Sequence, residues 1–238
     1  MPESYYPSNL RETQLAARHA LTLAANPNLT ELLGQIVALG LIPRAEAHLS
    51  ARANHRSAQA ALKQAHETTV AANVAADNAL KMLDATAKFN RGAETAALLR
   101  TLRDGKALGE ITGLPNAEQP EVVADYLERM SEYLASGQIP RAHAEEVRAT
   151  NDALAAAVAE EGAAERRRGE TKATFDAAKR RFVSYYGLLV VAAEAELGEE
   201  GARALLLRFS RSATDTEADD EDVGDDPTVD ERGEAPAV

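Results

Sequence analysis

Histidine is the residue type in this chain best suited to metal binding or proton transfer, and the sequence contains five of them. Metal sites on helices need ligands three or four residues apart, as in the motifs H-E-x-x-H and E-x-x-H. No two histidines here are four residues apart, and none follows a glutamate by three. His48, His55 and His66 share one helical stripe at intervals of 7 and 11 residues, which separate them by roughly 10 and 16 Å. We therefore expect no metal ion, no cofactor and a solvated face along this stripe.

Basic side chains form the second group suited to binding a ligand, because Arg and Lys neutralise phosphates. Seven of them lie within the 16 positions from Arg166 to Arg181, where Glu170 and Asp176 interrupt them. We interpret this cluster as the solvated flank of a coiled coil. The alternative is a nucleic-acid-associated protein whose phosphate contacts are Arg166, Arg167, Lys172, Arg180 and Arg181.

The acidic charge of the protein is concentrated at its C-terminus. Residues 212–238 hold eleven carboxylates and one arginine, which is −10 of the formal net charge of −12. Residues 1–211 therefore carry only −2, far from the strongly basic balance of a duplex-binding domain. The tail has no aromatic residue and no helical period, so we expect disorder and a role in solubility. In the nucleic-acid alternative, the tail competes for the basic patch at 166–181.

Motifs for nucleotide binding and nucleophilic catalysis are missing from the sequence. The chain has no cysteine, which excludes disulfides, thiolate metal sites and a cysteine nucleophile. Gly105 and Lys106 are followed by alanine and do not end a phosphate-binding loop, and neither G-x-S-x-G nor G-x-G-x-x-G occurs. We therefore expect a protein that is not an enzyme. We expect a cytoplasmic location and no membrane span, because the N-terminus lacks a signal-peptide pattern and no apolar run reaches about 20 residues.

Alanine supplies 50 of the 238 residues and favours helix over strand, so the predicted fold class is all-α. Residues 40–47 read G-x-I-P-R-A-x-A, and the same pattern recurs at 137–144. Matching downstream motifs, GAETAALLR at 92–100 and GARALLLR at 201–208, follow the two copies. Because glycine can end a helix and proline suits the start of the next, each copy predicts a tight turn between helices.

The repeat predicts a tandem duplication of a helix–turn–long helix unit. The predicted segments are a disordered arm at 1–8, helical repeat 1 at 9–104, a linker at 105–118, helical repeat 2 at 119–211 and a disordered acidic tail at 212–238. The predicted helices are 9–25, 28–39 with Asn28 in its cap, 43–90, 93–103, 119–136, 141–197 and 200–210.

Both long helices carry apolar rows at heptad spacing, which favours an elongated antiparallel bundle or coiled coil. The row in the second long helix is Val147, Leu154, Glu161, Arg168, Phe175, Phe182 and Leu189. The first long helix has two rows with a period of seven residues: the alanines Ala51, Ala58, Ala65, Ala72 and Ala79, and the companion row Leu62, Thr69, Ala76 and Leu83. A second face of that helix carries Leu49, Ala53, Ala60, Ala71, Ala75, Met82 and Phe89. We expect partners on both of its faces.

These patterns predict a non-enzymatic scaffold or adaptor protein that self-associates, or binds another protein, through helical seams. Nucleic acid is the less favoured partner. The residues predicted to make the protein contact are Phe175, Phe182, Tyr185, Tyr186 and Leu189.

Overall fold

The computed structural model describes residues 3–7, 9–27, 29–135, 139 and 141–210. Within this described part, the helices are α1 (Leu10–Leu23), α2 (Glu31–Gln35), a π-helical segment (Ile36–Leu41), α3 (Ile42–Leu102), α4 (Leu108–Thr112), α5 (Gln119–Ala135) and α6 (Arg141–Leu205). The prediction of an all-α fold is confirmed, because long helices dominate the described residues. The predicted acidic tail at 212–238 lies outside them.

The chain packs into two compact units. Unit 1 consists of the described residues up to Gln59 together with those from Glu170 onwards, and unit 2 is Ala60–Gly169. Each unit contains part of α3 and part of α6. Each therefore draws on both halves of the sequence, whereas the predicted domains followed the order of the two repeats.

Unit 1 is built on small side chains that let helices approach closely. Asn9 caps α1 by accepting a hydrogen bond from the Glu12 N–H at 2.8 Å, and three of the five residues that α1 buries are alanines. These alanines share one core with the π segment, the start of α3 and the end of α6. This core includes Ala16, Ala17, Ala20, Val37, Leu41, Ala45, Phe182, Tyr186, Leu189, Leu205 and Leu206.

Unit 2 has a separate core, in which the second part of α3 packs against α4, α5 and the first part of α6. The segment predicted as a linker contributes to it, because α4 lies there and buries Ile111 completely. Burial of this apolar surface supplies the main stabilising free energy of the unit. The core includes Leu80, Leu83, Ala87, Leu99, Ile111, Val123, Tyr126, Met130, Ile139, Ala144 and Val147.

The helices α3 and α6 run antiparallel within each unit. In unit 1, His48 of α3 contacts Phe182 of α6, and His55, two turns further along α3, contacts Thr171. The same direction follows in unit 2 from two contacts, His66 with Glu161 and Thr86 with His143.

The first copy of the repeated motif does not form the predicted turn. The chain stays helical from α2 through the π segment into α3, and the Ile42 N–H donates to the Val37 carbonyl. Pro43 accounts for this wider turn, because it has no N–H and its ring would collide with the carbonyl four residues earlier. Gly40 does not adopt the left-handed conformation, so the predicted helix end is wrong here.

The second copy of the motif lies between two separate helices. The helix α5 ends at Ala135 and α6 begins at Arg141, which agrees with the predicted helices at 119–136 and 141–197. Ile139 is buried, and its N–H lies 3.4 Å from the Tyr133 carbonyl oxygen. Gly137 and Pro140 lie outside the described residues.

Two predicted boundaries in the first half of the chain are wrong. The helix α3 continues to Leu102, whereas the sequence predicted an end near residue 90 and a short helix at 93–103. The cap of α2 is Thr30, whose hydroxyl accepts a hydrogen bond from the Leu33 N–H at 3.3 Å. The predicted capping residue, Asn28, lies outside the described residues.

Glycines divide α6 at one position but not at two others. Gly198 has φ of 69° and interrupts helical geometry, which agrees with the predicted boundary after residue 197. Gly162 and Gly169 keep helical geometry, so the helix predicted at 141–197 is continuous across both of them. A glycine in a helix costs about 1 kcal/mol against alanine, which the rest of a long helix can absorb.

The N-terminal arm differs from its prediction in residues 3–7. Glu3–Ser4 (β1) pairs antiparallel with Phe209–Ser210 (β2), and Tyr5 packs against the core of unit 1. Main-chain pairing and one aromatic contact therefore order these residues. The sequence does not reveal this, because the partner strand lies at the far end of the described chain.

Candidate functional site

The residues predicted to contact a partner lie in the core of unit 1. Phe182, Tyr186 and Leu189 are fully buried, Phe175 is nearly so, and Tyr185 is half-buried. Burial raises the pKa of Tyr186 to about 12, so its phenol is neutral at pH 7. The seam that these residues form is filled by side chains of the same chain. Their role in binding a partner stays a prediction.

A stack of rings fills this part of the seam. The ring of His48 lies between Phe175 and Phe182, with centroid distances of 5.4 and 5.8 Å and interplanar angles of 23° and 10°. His55, which is on α3 like His48, has its ring centroid 6.0 Å from that of Phe175. The ring centroids of Phe182 and Tyr186 are 5.8 Å apart. Each such ring pair adds about 0.5–1.5 kcal/mol beyond the apolar area that it buries.

His48 is the buried titratable group of this stack, and the prediction of a solvated face is wrong for it. It is fully buried, and neither ring nitrogen has a hydrogen-bond partner. Burial lowers the pKa of His48 to about 4, and the charges of Lys179 and Arg52 contribute to the shift. The signal was in the sequence: His48 and His55 continue the companion row of Leu62 at intervals of seven. The arginines beside these histidines in the sequence had favoured a solvated face instead.

The Tyr185 ring packs against the π segment, and its position accounts for the residue types at two positions of the repeated motif. A Cβ added to Gly40 would lie 1.9 Å from the Tyr185 Oη, so glycine is the residue that leaves room for the ring. The Arg44 guanidinium lies 4.2 Å from the centre of the same ring, and its Nη1 donates to the Gly40 carbonyl at 2.7 Å. Gly40 and Arg44 therefore hold the packing of unit 1.

Unit 2 contains a buried ion pair. The Arg103 Nη1 donates to the Asp84 Oδ1 at 3.0 Å, and Lys88 pairs with the other oxygen of the same carboxylate. Burial raises the pKa of the neighbouring Tyr126, so that phenol stays neutral. A buried pair of this kind adds little net stability when intact, but removing one partner is costly.

A cavity of about 90 Å³ adjoins this pair and has room for several water molecules. Its lining includes Arg103 and Lys106 as well as Asp104 and Asp125. Arg129, which also lines it, is paired with Asp104. The opposite charges largely balance, so the cavity has no strong preference for an anion or a cation.

The five residues of the nucleic-acid alternative are all exposed. Lys172, Arg180 and Arg181 belong to unit 1, where residues 42–59 and 170–189 contain seven Arg and Lys against three Glu and Asp. Arg166 and Arg167 belong to unit 2. Their exposure fits both a solvated flank and phosphate binding.

An uncovered apolar face of α3 is the clearest surface feature of unit 2. Its members alternate at spacings of four and three residues, which places them on one side of a helix. Met82 is 54% exposed and Phe89 is 90% exposed. The opposite side of the same helix packs into the core through Leu80 and Leu83. We call this surface the α3 strip and define it by six exposed residues, Ala71, Ala75, Asn78, Met82, Ala85 and Phe89.

The sequence located most of the α3 strip but predicted a neighbour for it inside a bundle. The second apolar row contained Ala71, Ala75, Met82 and Phe89, and in the described residues no other helix of the chain covers them. Among the described residues, no His, Asp or Glu cluster is arranged to hold a metal ion. A search of the described helices for one long and apolar enough to cross a bilayer finds none.

Comparisons with protein-family models, curated proteins and solved structures find no match to this chain.

Proposed function

We propose that the protein is a non-enzymatic scaffold or adaptor that binds protein through an exposed helical surface. The observation that supports this most directly is the α3 strip, a row at coiled-coil spacing on a helix whose opposite face is packed. Exposed apolar surface of this kind favours association, because covering it removes apolar area from water. Phe89 is the strongest single instance, since nine-tenths of it is exposed.

The packing behind the α3 strip suits it to this role. Leu80, Leu83 and Ala87 fix the core side of α3, and the Asp84–Arg103 pair holds the same stretch of helix. A surface on a rigid helix needs little ordering when a partner binds, so less of the binding free energy is lost. The buried seam residues of unit 1 act in this proposal as structural support.

We also infer that the chain arose by tandem duplication. In unit 1, Leu41 and Ala45 at the first motif share a core with Leu205 and Leu206. In unit 2, Ile139 and Ala144 at the second motif share a core with Leu99. Each copy of the motif thus lies in a core that also holds leucines from the downstream motif of the other repeat, which supports two related halves. The buried alanine of the motif differs between the copies: it is Ala45 in the first, and Ala144, the equivalent of Ala47, in the second.

The proposed function can be tested with a photoreactive amino acid in place of Ala85, which lies in the α3 strip. In cells that make the protein, irradiation is expected to give covalent adducts with protein. The matched control is the same replacement at Ala195, an exposed alanine of α6 in unit 1. Adduct yields at Ala85 no greater than at Ala195 would contradict a protein-binding role for the strip.

The nucleic-acid alternative is favoured by one observation, the exposure of all five cations of the predicted patch. We expect a chain ending at Arg211 to bind duplex DNA or RNA more tightly than the full chain, with a steep dependence on salt concentration. A triple variant of the shortened chain, K172A/R180A/R181A, serves as the control for the patch. Absence of binding by the shortened chain at low salt would dismiss this alternative.

A further inference from the structure

We propose that the α3 strip binds the α3 strip of a second copy of this chain, with the two helices antiparallel. The proposal rests on the proposed function, because it names the protein that covers the strip. It concerns unit 2 alone, since the strip lies within residues 71–89. Three properties support this partner: the sizes of the side chains, the charges beside them and the uncharged opposite flank.

Side-chain sizes along the strip change from one end to the other. Small alanines occupy its start, and Met82 and Phe89 occupy its end. Two exposed polar residues, Gln64 and Thr68, continue the same spacing towards the N-terminus. In a parallel pair, large residues would meet large ones at one end and small residues would meet small ones at the other. An antiparallel pair avoids both situations, because the end of one strip that carries large side chains faces the end of the other strip that carries small ones.

The heptad spacing fixes a register for the antiparallel pair. With a two-fold axis between residues 76 and 77, Met82 of one copy faces Ala71 of the other, and Phe89 faces the aliphatic part of Gln64. Asn78 then faces Ala75 at the edge of the axis, where its amide can still reach water. In this register neither Met82 nor Phe89 faces a second large apolar side chain.

Charges beside the strip match in the same register. Glu67 is exposed, and the side chain of Lys88 is half exposed. The two-fold axis that pairs Met82 with Ala71 also sets Glu67 of one copy beside Lys88 of the other, twice by symmetry. A parallel pair would instead set Glu67 near Ala72, which offers no charge. Charge complementarity therefore selects the antiparallel arrangement.

The opposite flank of the strip adds no repulsion. Its heptad positions are Ala72, Ala79 and Thr86, which carry no charge and are half-buried or buried. On the Glu67 flank, Lys81 would face Val74, so its ammonium meets no like charge. Lys88 already neutralises Asp84 within its own helix, and the carboxylate of Glu67 from the second copy would join this group.

The size of the contact indicates a weak dimer. Residues 64–89 span about 38 Å of helix with a width of about 10 Å, so two copies bury roughly 800 Å² in total. Stable specific interfaces bury about 1,200–2,000 Å², and smaller ones are transient. Self-association is therefore expected to depend on concentration, and measurements need to extend to about 1 mM chain.

Sedimentation equilibrium of the full chain tests whether the strip mediates self-association. We expect a monomer–dimer equilibrium for the natural protein, and a dimer at least about tenfold weaker for Met82→Glu or Phe89→Glu, because each places a charge in the apolar contact. The control is Leu39→Glu, which changes a side chain of unit 1 that is 78% exposed. It should leave the equilibrium unchanged. Helicity measured alongside shows that all variants are folded.

Charge reversal tests the antiparallel register. Glu67→Lys and Lys88→Glu should each weaken self-association severalfold, because each sets like charges beside each other. Lys88→Glu also removes the partner of Asp84 within its own helix, so the deciding result is the mixture of the two variants, which a damaged fold would not restore. Mixing these two variants should restore association to at least the natural level, because every lysine then faces a glutamate across the axis. The control mixture is Glu46→Lys with Arg56→Glu, which makes the same net charge changes at exposed positions of unit 1. It should show no such gain.

Three results would overturn the proposal. They are a chain that stays monomeric up to about 1 mM, a dimer unaffected by Met82→Glu, and a mixture that associates no better than its separate variants. The crosslinking experiment at Ala85 distinguishes failure of the self-pairing from failure of the proposed protein-binding function. Adducts with a different protein, but none with a second copy, would uphold protein binding and reject the self-pairing.

Discussion

Units 1 and 2 differ in the number of polar side chains that they bury and in the contacts of the charged or titratable ones. Of the eight buried polar or charged side chains in the described part of the chain, six lie in unit 2. Several of those six have a specific partner there: Asp84 binds Arg103, Gln119 binds Asp77, and Asn151 donates to the Pro120 carbonyl. In unit 1, His48 is buried among rings without any hydrogen-bond partner.

Two kinds of contact therefore hold the alanine-rich helices of this protein together. Unit 2 depends on pairs, so the loss of one member leaves the other buried and unsatisfied. Unit 1 depends on stacked rings and close approach, so it responds to the charge of His48 and to added volume. We therefore expect the units to fail under different changes.

The largest effect is expected from breaking the ion pair of unit 2. Asp84→Leu leaves the Arg103 guanidinium buried without its carboxylate, and we expect a loss of about 3–5 kcal/mol in the free energy of unfolding. Chemical denaturation of the full chain measures this, and hydrogen exchange should locate faster opening in peptides from 60–169.

The double variant Asp84→Leu/Arg103→Leu is the control for this prediction. It removes both charges, so its stability should recover most of the loss, because no unpaired charge stays buried. A double variant as unstable as Asp84→Leu would contradict the role given to the pair and would assign the loss to the shape of the core instead.

The next largest effect is expected from acid on unit 1. The pKa of His48 is about 4 in the folded chain, against an ordinary value of 6.5, so the unfolded chain binds more protons between these values. Stability from this group is therefore complete above pH 6.5 and is lost as the pH falls towards 4, by about 3 kcal/mol. The groups that face His48 are Lys179 and Arg52, with His55 across Phe175.

The variant His48→Leu isolates this effect from the titration of carboxylates elsewhere. Denaturation curves at pH 7 and pH 4 should show a smaller loss of stability for His48→Leu than for the natural chain. Hydrogen exchange should place the difference in unit 1 and leave peptides from 60–169 unchanged. Equal losses in both proteins would mean that His48 gains a partner or leaves the core on protonation.

The sequence predicted the helices well because their signal is local. Alanine content and heptad rows are properties of each segment, and they gave α1, α5 and the part of α6 before Gly198 within a few residues of their observed bounds. The wrong boundaries lie where a distant contact decides. Gly40 suggested a helix end, but the Tyr185 ring from α6 occupies the space beside it, so its lack of a side chain serves close packing.

The candidate surfaces were predicted less completely, because spacing shows which residues share a face and not what covers the face. Phe182 and Met82 both stood in apolar rows, yet one is fully buried and the other is 54% exposed. The covering element comes from the tertiary arrangement, in which α3 packs against Phe182 of α6 through His48, whereas the Met82 side of α3 is left open. The prediction for His48 was wrong for the same reason, because the sequence shows the row to which it belongs but not that it is buried.

The smallest effect is expected from adding volume to unit 1 at Gly40. Gly40→Ala forces the Tyr185 ring away from its position, which also separates it from the Arg44 guanidinium. The gain in helix propensity of about 1 kcal/mol offsets part of this loss, so we expect a net destabilisation of only about 1 kcal/mol.

Denaturation of Gly40→Ala, Tyr185→Ala and the double variant forms a cycle that isolates the contact. In the double variant the added methyl group meets no ring, so Gly40→Ala should become stabilising there. If the change costs as much without Tyr185 as with it, the π segment needs glycine for its backbone rather than for the ring, and close approach would not be what distinguishes unit 1.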